Sequence, residues 1–465
     1  MRGTKVVCTL GPATEDRVAE LVDAGMDVAR INLTHQGPED RDRLVAAVRE
    51  ASAASGKPVA VMADLSGPKV RLGELRGGEV ILRQGARFTL RPEPGPGDET
   101  SSATSHPGLA GDLDVGDRIS LADGEVELRV LGSDREVVTE VVLGGAITSR
   151  AGVNLPTERL SLPPVTQRDR DDAAWAVAAG VDLVAQSFVR RAEDVNELRQ
   201  LLGERPPLVV AKVETRPAVE DASRIAAAAD AIIVARGDLG VETDLVEIPV
   251  LQKELVEAAR AQRVPVIVAT QMLESMVREP EPTRAEVGDV AGAVFEGADG
   301  ILLSAETAVG AHPVEAARTA ARIAETAESR GRRFVAAPPD PGTPPDDAHA
   351  TCEAAAEIAR DGEAVAVACF TRSGRTATLL SAARPVVPIV ALSPDEAVVR
   401  RLPLYQGVVP RACRMPTGTD DMLAMLDAAL AETGTAAPGD VAVLVASTPF
   451  GRAHTNLLKV HRVSG

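Results

Sequence analysis

The chain has 465 residues, more than one hydrophobic core accommodates, so two or three domains are expected. Its net charge of −18, from 50 basic and 68 acidic residues, and its aromatic content of 2% argue against a nucleic-acid partner, which needs a basic footprint and stacking platforms. Hydrophobic residues make up 45% with no apolar run near membrane-span length, and Cys8, Cys352, Cys369 and Cys413 have neither metal-site nor disulfide-framework spacing, so a reducing cytoplasm is the expected location.

The opening MRGTKVVCTLGP enters a strand-like run at once, with no signal-peptide pattern. Apolar runs then recur with helical patterns between them. They are residues 5–10, 27–33, 58–65, 181–188, 208–214, 231–238, 264–271 and 300–307. Runs without polar alternation imply burial on both faces, as in parallel sheets. Eight of them alternating with helices predict a closed (β/α)8 barrel, with an open doubly wound sheet as the alternative. Each later part of a run carries chemistry: Arg30, Asn32 and Thr34; Asp64; Ser187; Lys212 and Glu214; Asp238; Thr270; Ser304 and Glu306. Active sites of such barrels lie at this C-terminal face.

The fifth run, LVVAKVE, draws the most attention. Lys212 and Glu214 are two residues apart and so leave the same strand face. Asp238 follows Glu214 by 24 residues, an interval that suits a helix and a return to the next parallel strand. An ammonium between two carboxylates can hold a divalent cation and an anionic substrate together. For Lys212 and Glu214 alone, a buried ion pair closing the strand is the competing reading. Because the overall charge opposes an anionic substrate, local cations or a metal must do the attracting.

Residues 70–162 interrupt the pattern with RPEPGPGDET and the alternating stretches EVELRVLG and REVVTEVVLG, which read as a small inserted β-barrel domain. Its place at the active-site face makes it a candidate lid. The barrel is therefore expected from 1–69 and 163–335, followed by a Pro-rich linker at 336–348 and a second α/β domain at 349–465. In that last domain the loop TRSGRT (Thr371, Arg372, Ser373, Gly374, Arg375, Thr376) follows a strand and has the hydroxyls, glycine and guanidinium groups that cradle phosphate.

The segments KVVCTLGPAT, ARINLTH, DLSGPKVR, GVNLP, SFVR, AKVE, ARGDLGVE, ATQMLESM, PTRAEVGDVA and LLSAETAVGAHP resemble, in order and spacing, the signature segments of the pyruvate kinase family. They cover the barrel from start to end; the insertion and the last domain resemble that family's lid and regulatory domain more loosely. The resemblance implies phosphoryl transfer between phosphoenolpyruvate and ADP, giving pyruvate and ATP, with Mg2+ or Mn2+ as cofactor. By that resemblance Glu214 and Asp238 hold the divalent cation, Lys212 stabilises the transferring phosphoryl group and the enolate oxygen, and Arg30 contacts the phosphate. The amides of Gly237 and Asp238 bind the substrate carboxylate, and Thr270 sits near the carbon that takes a proton. Asn32, His35 and Arg71 face the nucleotide. A homotetramer and a phosphorylated allosteric effector are also implied; a membrane partner is not.

Three departures from the family pattern stand out. Asn32, Thr34 and Asp64 match the monovalent-cation positions, Thr34 replacing a more usual serine. But Leu65 and Lys69 stand where K+-dependent members carry threonine and glutamate, which resembles the K+-independent branch. A tethered ammonium there supplies the charge that a free ion would bring; a merely solvated lysine is the alternative. Ala151 occupies a position where many members have a nucleotide-contacting lysine, leaving Arg150, one residue earlier, to reach the phosphates. LADG keeps only Asp123 of an acidic pair common in the lid. Competing readings are a metal-dependent barrel lyase or aldolase acting on pyruvate-like substrates, and a non-catalytic relative that senses phosphates.

Overall fold

The computed structural model describes residues 1–331, 346–447 and 455–464. Most of the expected linker at 336–348 and the side chain of Asp123 lie outside the described set. Eight parallel strands close into a barrel: Lys5–Leu10, Val28–Asn32, Ala60–Asp64, Leu183–Gln186, Leu208–Val213, Ala231–Ala235, Val266–Ala269 and Gly300–Leu303. Closure is made by the first strand, which pairs with the second (Val7 opposite Val28) and with the last (Lys5 opposite Gly300).

Period-two burial on both sides explains why these runs are continuously apolar. Val7, Val28, Ala60, Met62, Ala185, Val210, Ile233 and Ile267 fill the barrel interior. Their neighbours Val6, Cys8, Ala29, Ile31, Val61 and Val184 pack into the shell beneath the helices. All but the first of these strands are shorter than the apolar runs, and one difference matters chemically. Asp238 does not end a strand: the sixth strand stops at Ala235 and Asp238 lies in the first turn of the helix Arg236–Glu242. An acidic side chain suits that position, where the helix dipole is positive.

The N-terminal face of the barrel carries a repeated device. Asp27, Asp182, Asp230 and Asp299 each immediately precede an even-numbered strand, and each accepts an amide hydrogen from the preceding odd-numbered strand. The donors are Val6 (2.9 Å), Val61 (2.8 Å), Val209 (2.8 Å) and Val266 (2.9 Å). Cations surround these carboxylates: Arg2 and Lys57 at Asp27, Arg49 and Arg400 at Asp182, Arg199 at Asp230, Arg384 at Asp299.

The insertion folds into a seven-stranded sheet whose two outermost strands, Val70–Arg71 and Ser101–Ala103, come together at a bridge between Leu72 and Thr104; a separate two-stranded ribbon accompanies it. Phe88, Leu90, Ile119, Leu121 and Leu128 form its core. The C-terminal domain holds a five-stranded sheet with strands at Val408–Ala412, Ile389–Ser393, Ala364–Phe370, Val441–Ala446 and Leu457–Arg462, only the last antiparallel. Pro410 has no amide hydrogen, and it sits on an edge strand, where that costs least. This domain rests on the N-terminal face of the barrel. Lys5 Nζ donates to the Val408 carbonyl (2.8 Å), and Arg384 and Arg400 are the partners of Asp299 and Asp182.

Candidate active site

The C-terminal face of the barrel gathers its charges around Lys212. Its ammonium donates to Ser187 Oγ (2.7 Å) and lies 3.2 Å from Glu214 Oε2 and 3.7 Å from Asp64 Oδ1. Burial disfavours that charge, but Asp64, Glu214 and Asp238 together hold the Lys212 pKa above its usual value. Arg30 forks onto Asp64 through Nε (2.7 Å) and Nη2 (2.6 Å) and donates to Thr9 Oγ1 (2.8 Å). Asp64 is 2% exposed; burial alone would raise its pKa, yet Lys212 and Arg30 keep it below the usual carboxylate range.

Glu214 is 1% exposed. One oxygen accepts the Phe188 amide (2.7 Å), whereas Oε2 is buried without a hydrogen bond of good geometry. Burial first, and then the Asp238 charge, push its carboxyl up to about 7 against the pull of Lys212. It shares a cavity with Asp238, Lys69, Phe188, Asn154 and Glu242. A desolvated carboxylate oxygen whose near partner is the Lys212 ammonium, in a cavity with a second carboxylate, is a donor set that suits a hard divalent cation. Among the described residues no cluster of three or more His, Cys, Asp or Glu side chains is arranged to hold a metal by itself. A cation bound to this pair therefore draws its remaining oxygens from substrate, water or backbone.

Phe188 takes φ +55°, and this left-handed turn presents its amide to Glu214. Gly67, at φ +65°, permits the close approach: a Cβ there would lie 2.9 Å from the Phe188 ring and 3.0 Å from the Ser187 carbonyl oxygen. Thr270 (φ +71°) and Gln271 (φ +54°) are left-handed as well, a conformation costing a β-branched threonine about 1–3 kcal/mol. The Thr270 hydroxyl donates to the Ala269 carbonyl (2.5 Å) and accepts the Gly237 amide (2.7 Å). The Gly237 amide, which the sequence assigns to the substrate carboxylate, is thus engaged by Thr270 here.

The remaining sequence candidates fall into two groups. Asn32 pairs in register with Asp64 and accepts the Thr34 amide (3.1 Å), while Thr34 Oγ1 meets Ser66 Oγ (2.9 Å). Leu65 is buried in the apolar shell. Lys69 faces Asp238, at 3.9 Å. His35 lies within the field of Arg71, Arg30, Lys69 and Arg168; burial and these four cations lower its pKa, so the ring is neutral near pH 7. Arg71 reaches the Arg150 carbonyl (3.2 Å), whereas the Arg150 guanidinium turns to Glu74 (2.7 Å) at an exposed edge. The structure therefore groups Arg71 with His35 and sends the Arg150 side chain elsewhere.

Two features escaped the sequence reading. Thr157 of the insertion donates to Glu242 Oε2 (2.8 Å), which also accepts the Arg216 amide (2.9 Å) and so ties the insertion to the barrel. Arg236 gathers the turn at Thr270; only its place in ARGD, directly after a strand, hinted at a role. In the C-terminal domain, the Gly374 amide donates to Thr371 Oγ1 (3.0 Å) and the helix Arg375–Ala383 starts there. Arg372, Ser373 and Arg375 are exposed, Arg375 pairing with Asp346, while Thr376 is buried against Thr455 (2.9 Å).

Residues 1–317 match the family model described as pyruvate kinase, barrel domain, and residues 349–461 match pyruvate kinase, alpha/beta domain. The chain is 41% identical to the pyruvate kinase of Mycobacterium intracellulare, covering 99% of this chain and 98% of that one. Identity to the pyruvate kinase of Geobacillus stearothermophilus is 39%, over 100% of this chain and 81% of that protein. For the pyruvate kinase of Thermotoga maritima it is 38%, over the full length of both. The chain belongs to the pyruvate kinase family.

Proposed function

We propose that the chain carries out the reaction of its family, phosphoryl transfer from phosphoenolpyruvate to ADP giving pyruvate and ATP, with the labour divided as follows. Glu214 and Asp238 hold a divalent cation, Mg2+ or Mn2+, which supplies positive charge where the substrate's anionic oxygens converge. Lys212 and Arg30 face the transferring phosphoryl group. Two unit negative charges 4 Å apart repel by about 4 kcal/mol at an effective dielectric near 20, and the two cations offset this as charge redistributes during transfer. Lys212 also stabilises the enolate oxygen. The Asp238 amide orients the substrate carboxylate, while the Gly237 amide donates to the Thr270 hydroxyl, and Thr270 holds the proton destined for the enolate carbon. Asn32, His35 and Arg71 receive the nucleotide, with the neutral His35 ring adding hydrogen bonds without charge.

The observation that carries this reading is the environment of Lys212, an ammonium kept charged in a buried site by three carboxylates. A coupled assay with phosphoenolpyruvate, run with and without ADP, tests it. ATP formed in step with pyruvate is expected, and consumption of phosphoenolpyruvate without nucleotide would support a lyase instead.

The same reading extends to regulation and assembly. Residues 70–162 act as a lid that excludes water, and residues 349–465 as a regulatory domain in a cytoplasmic homotetramer. A phosphorylated effector binds at Thr371 to Thr376, a loop that opens a nine-residue helix. K+ is not required, because the charge of Asp64 is met by Arg30 and Lys212 while Lys69 adds a tethered cation beside Asp238. Initial rates in K+-free Mg2+ buffer are expected within about twofold of those at 100 mM K+; strong activation by K+ would refute this.

A further inference from the structure

Arg236 directly follows the sixth strand with 10% of its side chain exposed, yet its guanidinium points sideways to the seventh. Nη2 donates to the Thr270 carbonyl (2.6 Å) and the Gln271 carbonyl (3.3 Å) and touches Met272 Sδ (2.9 Å). Nη1 lies 2.9 and 2.7 Å from the two carboxylate oxygens of Asp289 and 3.3 Å from Gln252 Oε1. Gln252 in turn donates to Glu296 (2.7 Å). One side chain thus bridges two outer helices, Ile248–Ala261 and Arg284–Glu296, to the turn that displays Thr270.

That turn does not hold its shape on intrinsic preference. Thr270 and Gln271 are consecutive left-handed residues without glycine, a conformation that persists only where surrounding contacts impose it. Arg236 grips the two carbonyls of the turn, and the amide of the next residue, Gly237, grips the Thr270 hydroxyl (2.7 Å). Backbone and hydroxyl are therefore fixed from one dipeptide, which also leads into the helix bearing Asp238.

We propose that Arg236, anchored by Asp289, is a positioning residue for the proton-transfer half of the reaction: it holds the strained Thr270 turn so that the hydroxyl faces the enolate carbon. This rests on the Thr270 role given above. A displacement of about 1 Å of a reacting group costs on the order of 100-fold in rate, so a loosened turn shows in this step. Lysine is a poor substitute, because a single ammonium cannot span Asp289 and the turn carbonyls as a planar fork does.

The test uses the full-length enzyme with R236K, D289N and T270V. Two readouts are followed: exchange of tritium from the methyl group of pyruvate, and single-turnover formation of ATP against pyruvate. For R236K we expect exchange to fall at least tenfold and pyruvate to lag behind ATP, with KM for phosphoenolpyruvate and ADP changed less than threefold. D289N, which keeps the guanidinium, is expected to show a smaller loss of the same pattern. Circular dichroism and thermal melts confirm that each variant is folded. Impaired exchange in T270V beside normal exchange in R236K overturns the positioning role alone. Normal exchange in T270V removes the Thr270 role and this proposal with it. Equal slowing of ATP and pyruvate formation in R236K also overturns the proposal, since the defect would then precede proton transfer.

Discussion

At the scale of single residues, the site is organised by the cost of burying charge. Lys212, Asp64 and Glu214 are almost wholly removed from water, and each has its charge state set by the others. Removing the ammonium should therefore affect more than one contact. Lys212→Ala is expected to reduce kcat at least about 100-fold, the cost typical of losing one preorganised donor. Mn2+ affinity measured by electron paramagnetic resonance should stay the same or tighten, because Glu214 loses its competing cation. Near-parental turnover would defeat the assignment. That Lys212, Glu214 and Asp64 lie together at the strand ends was legible in the sequence, because charged side chains closing apolar runs share one face of the barrel. The backbone of Thr270 was not: a β-branched residue gives no sign of a positive φ, which is imposed by contacts distant in sequence. Arg236 was missed for the same reason, since its partners at Thr270 and Asp289 lie 34 and 53 residues away.

At the scale of elements, the eight barrel strands were legible because both of their faces are apolar. What the pattern cannot reveal is where a strand gives way to a helix, and so the sixth apolar run carries on past Ala235 into the helix that bears Asp238. In the C-terminal sheet, Val408–Ala412 and Leu457–Arg462 are edge strands, one holding a proline and the other half exposed, and neither shows a buried-strand signature. The aspartates at the foot of the barrel are also visible once their neighbours are known. Gly25, Gly180 and Gly297, all at positive φ, come two residues before Asp27, Asp182 and Asp299, so a glycine turn and an acidic cap recur together. Asp182, like Asp27, serves three partners, binding the Val61 amide, Arg49 and Arg400. Asp182→Ala leaves two guanidinium groups and a strand amide without their acceptor. A loss of about 3–5 kcal/mol is expected, seen as a lower melting temperature, with kcat/KM preserved below the melt because the site lies at the opposite end of the strands. A large fall in kcat/KM at unchanged melting temperature would contradict this.

At the scale of the whole molecule, the barrel and the C-terminal domain meet across a titratable tie. Lys5 is 7% exposed, and its ammonium donates to the Val408 carbonyl. Burial lowers its pKa to about 8; Asp27 and Glu328 pull it up, Arg2 and Lys57 push it down. The folded pKa lies below the unfolded value near 10.5, so the folded state binds fewer protons between those limits. The cost of the buried charge is present in full below pH 8 and is relieved as pH rises to 10.5. Lys5→Met lacks this term. The melting temperature of the parent relative to Lys5→Met is therefore expected to rise between pH 7 and pH 10, and a constant difference would show that Lys5 is not the titrating group. The kinds of domain could be read from the pattern of apolar runs, whereas this docking could not, because it joins residues 403 positions apart.

Barrel closure also has a consequence in time. The first strand pairs at Lys5 with Gly300, so one of its two edges has no partner until some 300 residues exist. At about 5–20 residues per second, translation leaves that edge waiting ~15–60 s. The inserted sheet, whose strands run from Val70 to Asn154, has all its partners much earlier. On the ribosome the inserted domain is thus the first part able to fold autonomously, and the catalytic barrel is assembled around a domain that is already complete.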